Sequence, residues 1–183
     1  MAVTNFVFIK STDFSKLEKQ AAEVRAIDGV SHVFYGPKIE DPQVSVLVAV
    51  WSSAPNQKAL ASAVSDATET RTVDLDDLKA LQAPATECLT CFGIESHFVK
   101  NVQDFSAKMD AGKPRGYHGG VVGKVKEQLD GKGDAVMLLI GWDSKEIHEE
   151  VKSTPGNVII ENIHLLRDGH KGLDMFHVNF KQL

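Results

Sequence analysis

The sequence predicts an α+β fold: two tandem ferredoxin-like β-α-β-β-α-β repeats that form one fused domain, like a dimeric α+β barrel made from a single chain. Three observations predict it. Short motifs recur in the same order along the chain. Apolar residues alternate with period two in some segments and follow helical spacing in others. The 183 residues, 43% of them hydrophobic and 25% charged, are enough to bury a core without disulfides or metal.

The motifs organise the rest. Asp13-Phe14-Ser15 recurs as Asp104-Phe105-Ser106, and Trp51-Ser52-Ser53 as Trp142-Asp143-Ser144, both at an offset of 91. Gly29 and Gly36 recur as Gly116 and Gly123 at an offset of 87, and Leu89 to Phe92 matches Leu173 to Phe176 at 84. Recurrence in one order is the mark of duplication. It divides the chain into a first repeat over 1–94 and a second over 95–183.

In the first repeat, Asn5 to Lys10 alternates, with Phe6 and Phe8 on one face, and reads as a strand. Asp13 is a helix N-cap, followed by Phe14, Leu17, Ala21 and Val24 at helical spacing. Asp28-Gly29 ends that helix and opens a strand, Val30 to Gly36. After the turn at Glu40-Asp41-Pro42, Val44, Val46, Val48 and Val50 form one face of a strand ending at Trp51. Ala54 to Thr68 reads as a helix with Leu60 and Val64 inward, and Cys88 to Ile94 as the closing strand. In the second repeat, His97 to Val102 aligns as a short strand, and a helix begins at Asp104 to Met109. Tyr117 to Val125 and Val136 to Trp142 are strands, Ser144 to Lys152 a helix, and Leu173 to Phe180 the last strand. Val158, Ile159, Ile160 and Ile163 in the long segment 154–172 need cover, which a lid or helix over a barrel mouth would give.

Composition excludes several functions. Lys and Arg number 20 against 25 Asp and Glu, for a net charge of -5, so no nucleic-acid partner is expected. No apolar stretch is long enough to span a membrane, and the start lacks a signal-peptide pattern. Cys88 and Cys91 are spaced as a redox pair, but residues three apart on a strand face opposite sides. Two half-buried free strand thiols point to a reducing, cytoplasmic setting. No HExxH, EF-hand, Walker, GxGxxG or GxSxG pattern occurs, so no metal and no cofactor is expected. Gly119-Gly120-Val121-Val122-Gly123 lies within a strand and does not open a helix, which removes the usual phosphate cradle.

Two four-stranded sheets with helices outside would cover each other's bare faces, and a pocket is expected between the sheets. Polar and aromatic strand residues are then the candidates. His118 and His177 are the candidate bases. His32, Tyr35, Tyr117 and Asn179 also lie on predicted strands, and Trp51 and Trp142 end two more. His148, His164 and His170, on a helix or in loops, are expected in solvent.

At this point the sequence resembles a known family. Val33-Phe34-Tyr35-Gly36-Pro37-Lys38-Ile39-Glu40-Asp41-Pro42, followed by Val46-Leu47-Val48-Ala49-Val50-Trp51-Ser52-Ser53, is similar to the antibiotic-biosynthesis-monooxygenase (ABM) type of dimeric α+β barrel. So is Leu138-Leu139-Ile140-Gly141-Trp142-Asp143-Ser144, and the tail from Ile163 to Phe180 resembles the closing strand of two-repeat fungal members. The resemblance implies a cofactor-independent monooxygenase, or a cyclase or dehydratase of the same fold, for an aromatic or polyketide-like ligand. His177 or His118 would be the base, Tyr117, Tyr35 and Asn5 hydrogen-bond donors, and Trp51 or Trp142 a stacking wall. Heme-degrading relatives use a first-strand asparagine, a tryptophan and a histidine. Asn5 and Trp51 match the first two, residues 54–96 contain no histidine, and Ser96 stands where the second repeat's asparagine would be. The alternatives are a non-catalytic ligand-binding or stress-response barrel and a scaffold filled by its own side chains. One chain can make the barrel, so both a monomer and a homodimer fit.

Overall fold

The structure, a computed structural model, describes residues 2–129 and 131–183. Its elements run β1 (Ala2–Lys10), α1 (Phe14–Arg25), β2 (Val30–Pro37), β3 (Val44–Trp51), α2 (Gln57–Ala63) and β4 (Ala67–Leu75), then α3 (Lys79–Gln82). They continue with β5 (Ala85–Phe92), α4 (Phe98–Gly112), β6 (Tyr117–Lys124), β7 (Ala135–Trp142), α5 (Lys145–Ser153) and α6 (Val158–Asn162). A 3-10 turn (Ile163–Leu166), β8 (Gly172–Val178) and β9 (Lys181–Gln182) complete the chain. The two sheets are ordered β4-β1-β3-β2-β9 and β6-β7-β5-β8, all pairs antiparallel. Leaving out β9, each is the ferredoxin-like order.

Local chemistry accounts for the shared parts. Asp13 caps α1 by accepting from Lys16 N at 3.0 Å, and Leu17, Ala21 and Val24 turn inward. Gly29 and Gly116 each open a strand with positive φ, 85° and 74°, and each carbonyl accepts from the residue after a tryptophan at 2.8 Å. A β-carbon at Gly29 would strike Ser53, and one at Gly116 would strike Ile147. That close turn is why the Gly and Trp-Ser or Trp-Asp motifs recur together.

The sheets face each other and close. Val73 bridges Val125 at one seam and Lys38 bridges Val178 at the other. The interior is packed with Phe6, Phe8, Phe34, Met137, Leu139 and Phe176, none more than 4% exposed. Arg71 lies in it nearly dry, over the Phe8 ring, donating to Thr90 at 2.7 Å and Asp174 at 3.0 Å, and so ties β4 to β5 and β8. Among the described residues, aromatic and aliphatic side chains from both inner faces occupy the space where a pocket is expected between the sheets. Two further cores lie outside, one between the first sheet and α1 and α2, the other between the second sheet and α4 to α6.

Three elements differ from expectation. The helix expected over Ala54 to Thr68 stops at Ala63, and β4 follows. Its threonines 68, 70 and 72 favour a strand, but its inner face carries Arg71, which hides the apolar alternation. The strand expected to close the first repeat is β5, which pairs with β7 and β8 in the second sheet. The chain thus changes sheet within 76–84, not at 94/95. His97 to Val102, expected as a strand, instead starts α4, where Phe98, Val102, Phe105 and Met109 share one buried stripe. Segment 154–172 forms α6 and the 3-10 turn, which pack on α4 beside the second sheet. Cys88 and Cys91 face opposite sides of β5, as strand geometry requires, and burial pushes both thiols up, Cys91 to about 12. No helix among the described residues is long and apolar enough to cross a membrane.

Candidate functional site

The second half carries a cavity of about 270 Å³ between its sheet and its helices. β5, β7 and β8 supply one wall with Leu89, Leu138, Ile140 and Met175, and Phe105, Met109, Ile159 and Leu166 supply the other. It opens along the β8 edge, where Leu173 and Met175 remain 52% and 37% exposed and Arg167 and Lys152 reach solvent. Its polar groups converge at one end, where Glu87, Trp142 and His148 meet. An apolar enclosure with a few convergent polar groups is the ordinary form of a small-molecule site.

These polar groups belong to a chain of contacts. The Trp142 indole N–H donates to Glu87 Oε2 at 3.0 Å. His148 stacks on that indole at 4.9 Å between centroids, with its Nε2 3.6 Å from the same carboxyl oxygen. His148 Nδ1 and His177 Nε2 are 2.8 Å apart. His177 Nδ1 lies 2.7 Å from Glu40 Oε1, and the His177 backbone N–H donates to Glu40 Oε2 at 2.8 Å. Lys145 Nζ joins Glu40 Oε1 at 3.0 Å. Each residue is placed by its element. β5 and β8 set Glu87 opposite His177, and α5, capped by Ser144, turns His148 inward. Glu40 comes from the β2–β3 hairpin of the other half, brought across by the Lys38–Val178 bridge.

Burial and partners tune these groups differently. Burial pushes the Glu87 carboxyl up, against the Trp142 donor that favours its ionised form. Burial brings His148 down to about 4, so it is neutral at ordinary pH. Glu40 is also raised by desolvation, but its hydrogen bonds from His177 and Lys145 outweigh that and hold it at about 2. A neutral base and a carboxyl whose burial favours its protonated form thus sit side by side at the end of an apolar space, the pattern expected of an acid–base site. Glu87, His148 and His177 also offer ligand atoms within 4.8 Å of one another. The two imidazoles, however, are 2.8 Å apart at nitrogen and 5.1 Å at centroid, a difference that two ring radii account for. Both nitrogens and both ring centres therefore lie close to one line. That is a hydrogen bond, not two lone pairs converging on a cation.

The expected residues separate accordingly. Trp142 lines the cavity, and His177 stands directly behind His148, fully buried. His118 is on the surface, 2.6 Å from Asp143 and outside the cavity, because the bulge in β6 next to Gly119 turns it outward. Tyr117 packs edge-on against Trp142 and donates to Asp110 at 2.6 Å, and burial with that acid pushes its hydroxyl pKa up. Tyr35 packs on Phe14 in the first half's outer core. Trp51 donates to Asn5 at 2.7 Å, and Asn5 donates to Thr72 at 2.7 Å, in that same buried region. His32 stacks on Phe34 and meets Ser31 near the start of β2, while Asn179 lies exposed past the end of β8. His148, expected in solvent, is 3% exposed because α5 turns it under the helices. Glu87, His148 and Glu40 were missed, and so was Glu87's correspondence with Asn5. Ladder register supplies it: Val3 faces Trp51 and Ala85 faces Trp142, so Glu87, not Ser96, stands where Asn5 stands.

No protein-family model and no curated protein sequence matches the chain. Solved structures do. An anthrone oxidase-like protein superposes with a TM-score of 0.74 at 13% identity, over 100% of this chain and 92% of that one. A protein named as a monooxygenase from Fusobacterium nucleatum gives 0.64 at 10% identity, over 99% and 93%. A ferredoxin-fold protein from Listeria monocytogenes related to antibiotic biosynthesis monooxygenases gives 0.50 at 13%, over 97% and 95%. At such identities the likeness is one of fold, and the fold is that of the ABM-like, ferredoxin-type structures.

Proposed function

We propose that the chain is a small-molecule enzyme of the cofactor-independent ABM type, acting on an aromatic, polyketide-like substrate in the helix-side cavity of the second half. The observation that carries this reading is the single acid–base end, Glu87 with His148, of an enclosure with apolar walls and with Lys152 and Arg167 at its mouth. The anthrone oxidase-like neighbour agrees with it. A cavity of about 270 Å³ suits a compact fused-ring molecule rather than an extended one. His148 Nε2 takes a proton from an activated ring methylene, and the resulting carbanion is electron-rich enough to reduce dioxygen. In the full reaction the methylene loses both hydrogens and gains one oxygen atom as a carbonyl. The other oxygen atom leaves as water with those two hydrogens. Glu87, whose burial favours the protonated form, donates to the ring oxygen on which negative charge develops. Trp142 holds Glu87 and walls the rings.

Anthrone under oxygen is the first probe, followed as anthraquinone formation and oxygen uptake. The expected result is turnover by the wild type and a loss of about a hundred-fold or more in Glu87→Gln and His148→Phe. Saturable binding of anthrone without oxygen uptake would make the chain a ligand-binding barrel. Neither binding nor turnover with anthrone or related fused-ring phenols would end the proposal.

A further inference from the structure

We propose that Glu40 and His177 form a relay behind His148: Glu40, reaching across from the other half, fixes both imidazole tautomers so that His148 presents a bare Nε2 to the cavity, and the relay draws the positive charge away from the cavity when that nitrogen takes a proton. The tautomer assignment stands on hydrogen-bond geometry with both imidazoles neutral, and only the transfer step rests on the catalytic reading above.

The assignment follows from counting donors. Glu40 receives three: the His177 backbone N–H, His177 Nδ1 and Lys145 Nζ, at 2.8, 2.7 and 3.0 Å. A carboxylate so surrounded is ionised and only accepts. The proton of that contact is therefore on His177 Nδ1. A neutral His177 then has a bare Nε2, and that atom faces His148 Nδ1 at 2.8 Å. The proton between the rings must belong to His148 Nδ1. His148 has then used its one proton, and its Nε2 is bare at the cavity end. Glu87 Oε2, 3.6 Å away, is too far to occupy that lone pair directly. His177 is 0% exposed and touches no substrate, and Glu40 lies beyond it, so both are positioning residues.

The in-line arrangement also gives the proton a path. When a proton arrives at His148 Nε2, the Nδ1 proton crosses to His177 Nε2. His148 is left neutral, now carrying hydrogen at Nε2, and the imidazolium is on His177. The positive charge then lies 2.7 Å from the Glu40 carboxylate instead of against the apolar wall. The titratable groups around the relay are Glu40 and Lys145 at its outer end, Glu87 at its inner end, and Glu149 and Lys152 on α5 beside His148. Glu40, 32% exposed at its side chain, meets solvent and completes the route to water.

Glu40→Gln tests this sharply. The His177 backbone N–H still needs an acceptor, so the amide oxygen goes there and the amide NH₂ faces His177 Nδ1. That group can only donate, which forces the opposite tautomer in His177 and, through it, in His148. Nitrogen-resolved imidazole NMR of the full ligand-free chain at neutral pH reads both states. The wild type is expected to show His148 and His177 as Nδ1–H tautomers, and Glu40→Gln to show both as Nε2–H. Turnover of anthrone by the variant is expected to fall by about a hundred-fold or more, with anthrone binding unchanged within about two-fold. A wild-type His148 protonated at Nε2 overturns the relay, and this holds even if the variant does not fold. Unchanged tautomers in a folded Glu40→Gln overturn it as well. Expected tautomers in a wild type that neither binds nor oxidises anthrone leave the relay standing and remove the oxygenase reading instead.

Discussion

The two halves share one hydrogen-bonded frame and fill it differently. In each, a tryptophan at the end of the third strand donates to a polar residue on the first: Trp51 to Asn5, Trp142 to Glu87. Opposite that residue on the last strand stands Thr72 in one half and His177 in the other. Both have their backbone N–H held by a glutamate from the other half's hairpin, Glu127 at 2.7 Å and Glu40 at 2.8 Å. Four residues past the caps Asn56 and Ser144 come Leu60 and His148. The first half thus has Asn5, Thr72 and Leu60 where the second has Glu87, His177 and His148. The first is closed by Leu17, Ala21, Leu60 and Val64. The second gains α6 and the 3-10 turn and keeps a cavity under them. The same scaffold serves as core or as site, and three side chains with one inserted segment make the difference.

The strongest way to break the comparison is to make the second half copy the first. Glu87→Asn keeps an acceptor for the Trp142 indole but removes the acid. Turnover of anthrone is expected to fall by about a hundred-fold or more, while near-neutral stability holds or rises. The sign follows from linkage. A carboxyl raised by burial adds stability below its unfolded value and loses it as pH rises through its folded one, so neutral pH is where removing it helps. Steady-state kinetics and thermal melting check both halves of the statement. Undiminished turnover would show that Glu87 is not the acid.

The converse change leaves the cavity alone. Asn5→Leu is nearly isosteric but strands the Trp51 N–H in a dry core and takes the donor from Thr72. A loss of about 2 kcal/mol is expected in denaturant melts, the usual cost of orphaned buried polar groups, with anthrone affinity unchanged. Loss of binding would mean that the first half also contributes to the site.

The frame was far more legible than the site. Strand alternation in Val44 to Val50, the Asp13 cap and the recurring Gly and Trp motifs are local signals, and the structure keeps them. β4 was not legible, because its inner face is anchored by Arg71, whose partners Thr90 and Asp174 come from distant strands. Missing β4 displaced the next strand by one element. That in turn hid Glu87 by aligning Ser96 with Asn5. His148 lies on a short helix rich in charge, and nothing local says that it turns inward beside Val151 while its charged neighbours face solvent. Glu40 reads as part of a turn, and its reach into the second half exists only once the barrel closes. His118 shows the opposite error: strand residence was read correctly, but the β6 bulge and Asp143 hold it in solvent.

The smallest effect isolates the third exchanged position. Burial holds His148 at about 4, below the ordinary histidine value, so the unfolded chain binds a proton there that the folded one refuses. Stability from this group is full above about pH 6.5 and is lost as pH falls toward 4, at a slope of about 1 kcal/mol per pH unit. His148→Leu places there the residue that the first half uses. It leaves His177 Nε2 without its partner, so absolute stability is expected to drop. The slope contributed by this site between pH 6.5 and 4 should nevertheless disappear. Glu40, held at about 2, adds its own loss as pH falls from about 4.5 toward 2, so the two acid limbs are centred apart on the pH axis. Denaturant melts at half-unit steps from pH 7 to 3 would resolve them. An unchanged slope in the variant would mean that His148 is not held neutral by the fold, and the contrast with Leu60 would then be one of shape rather than of charge.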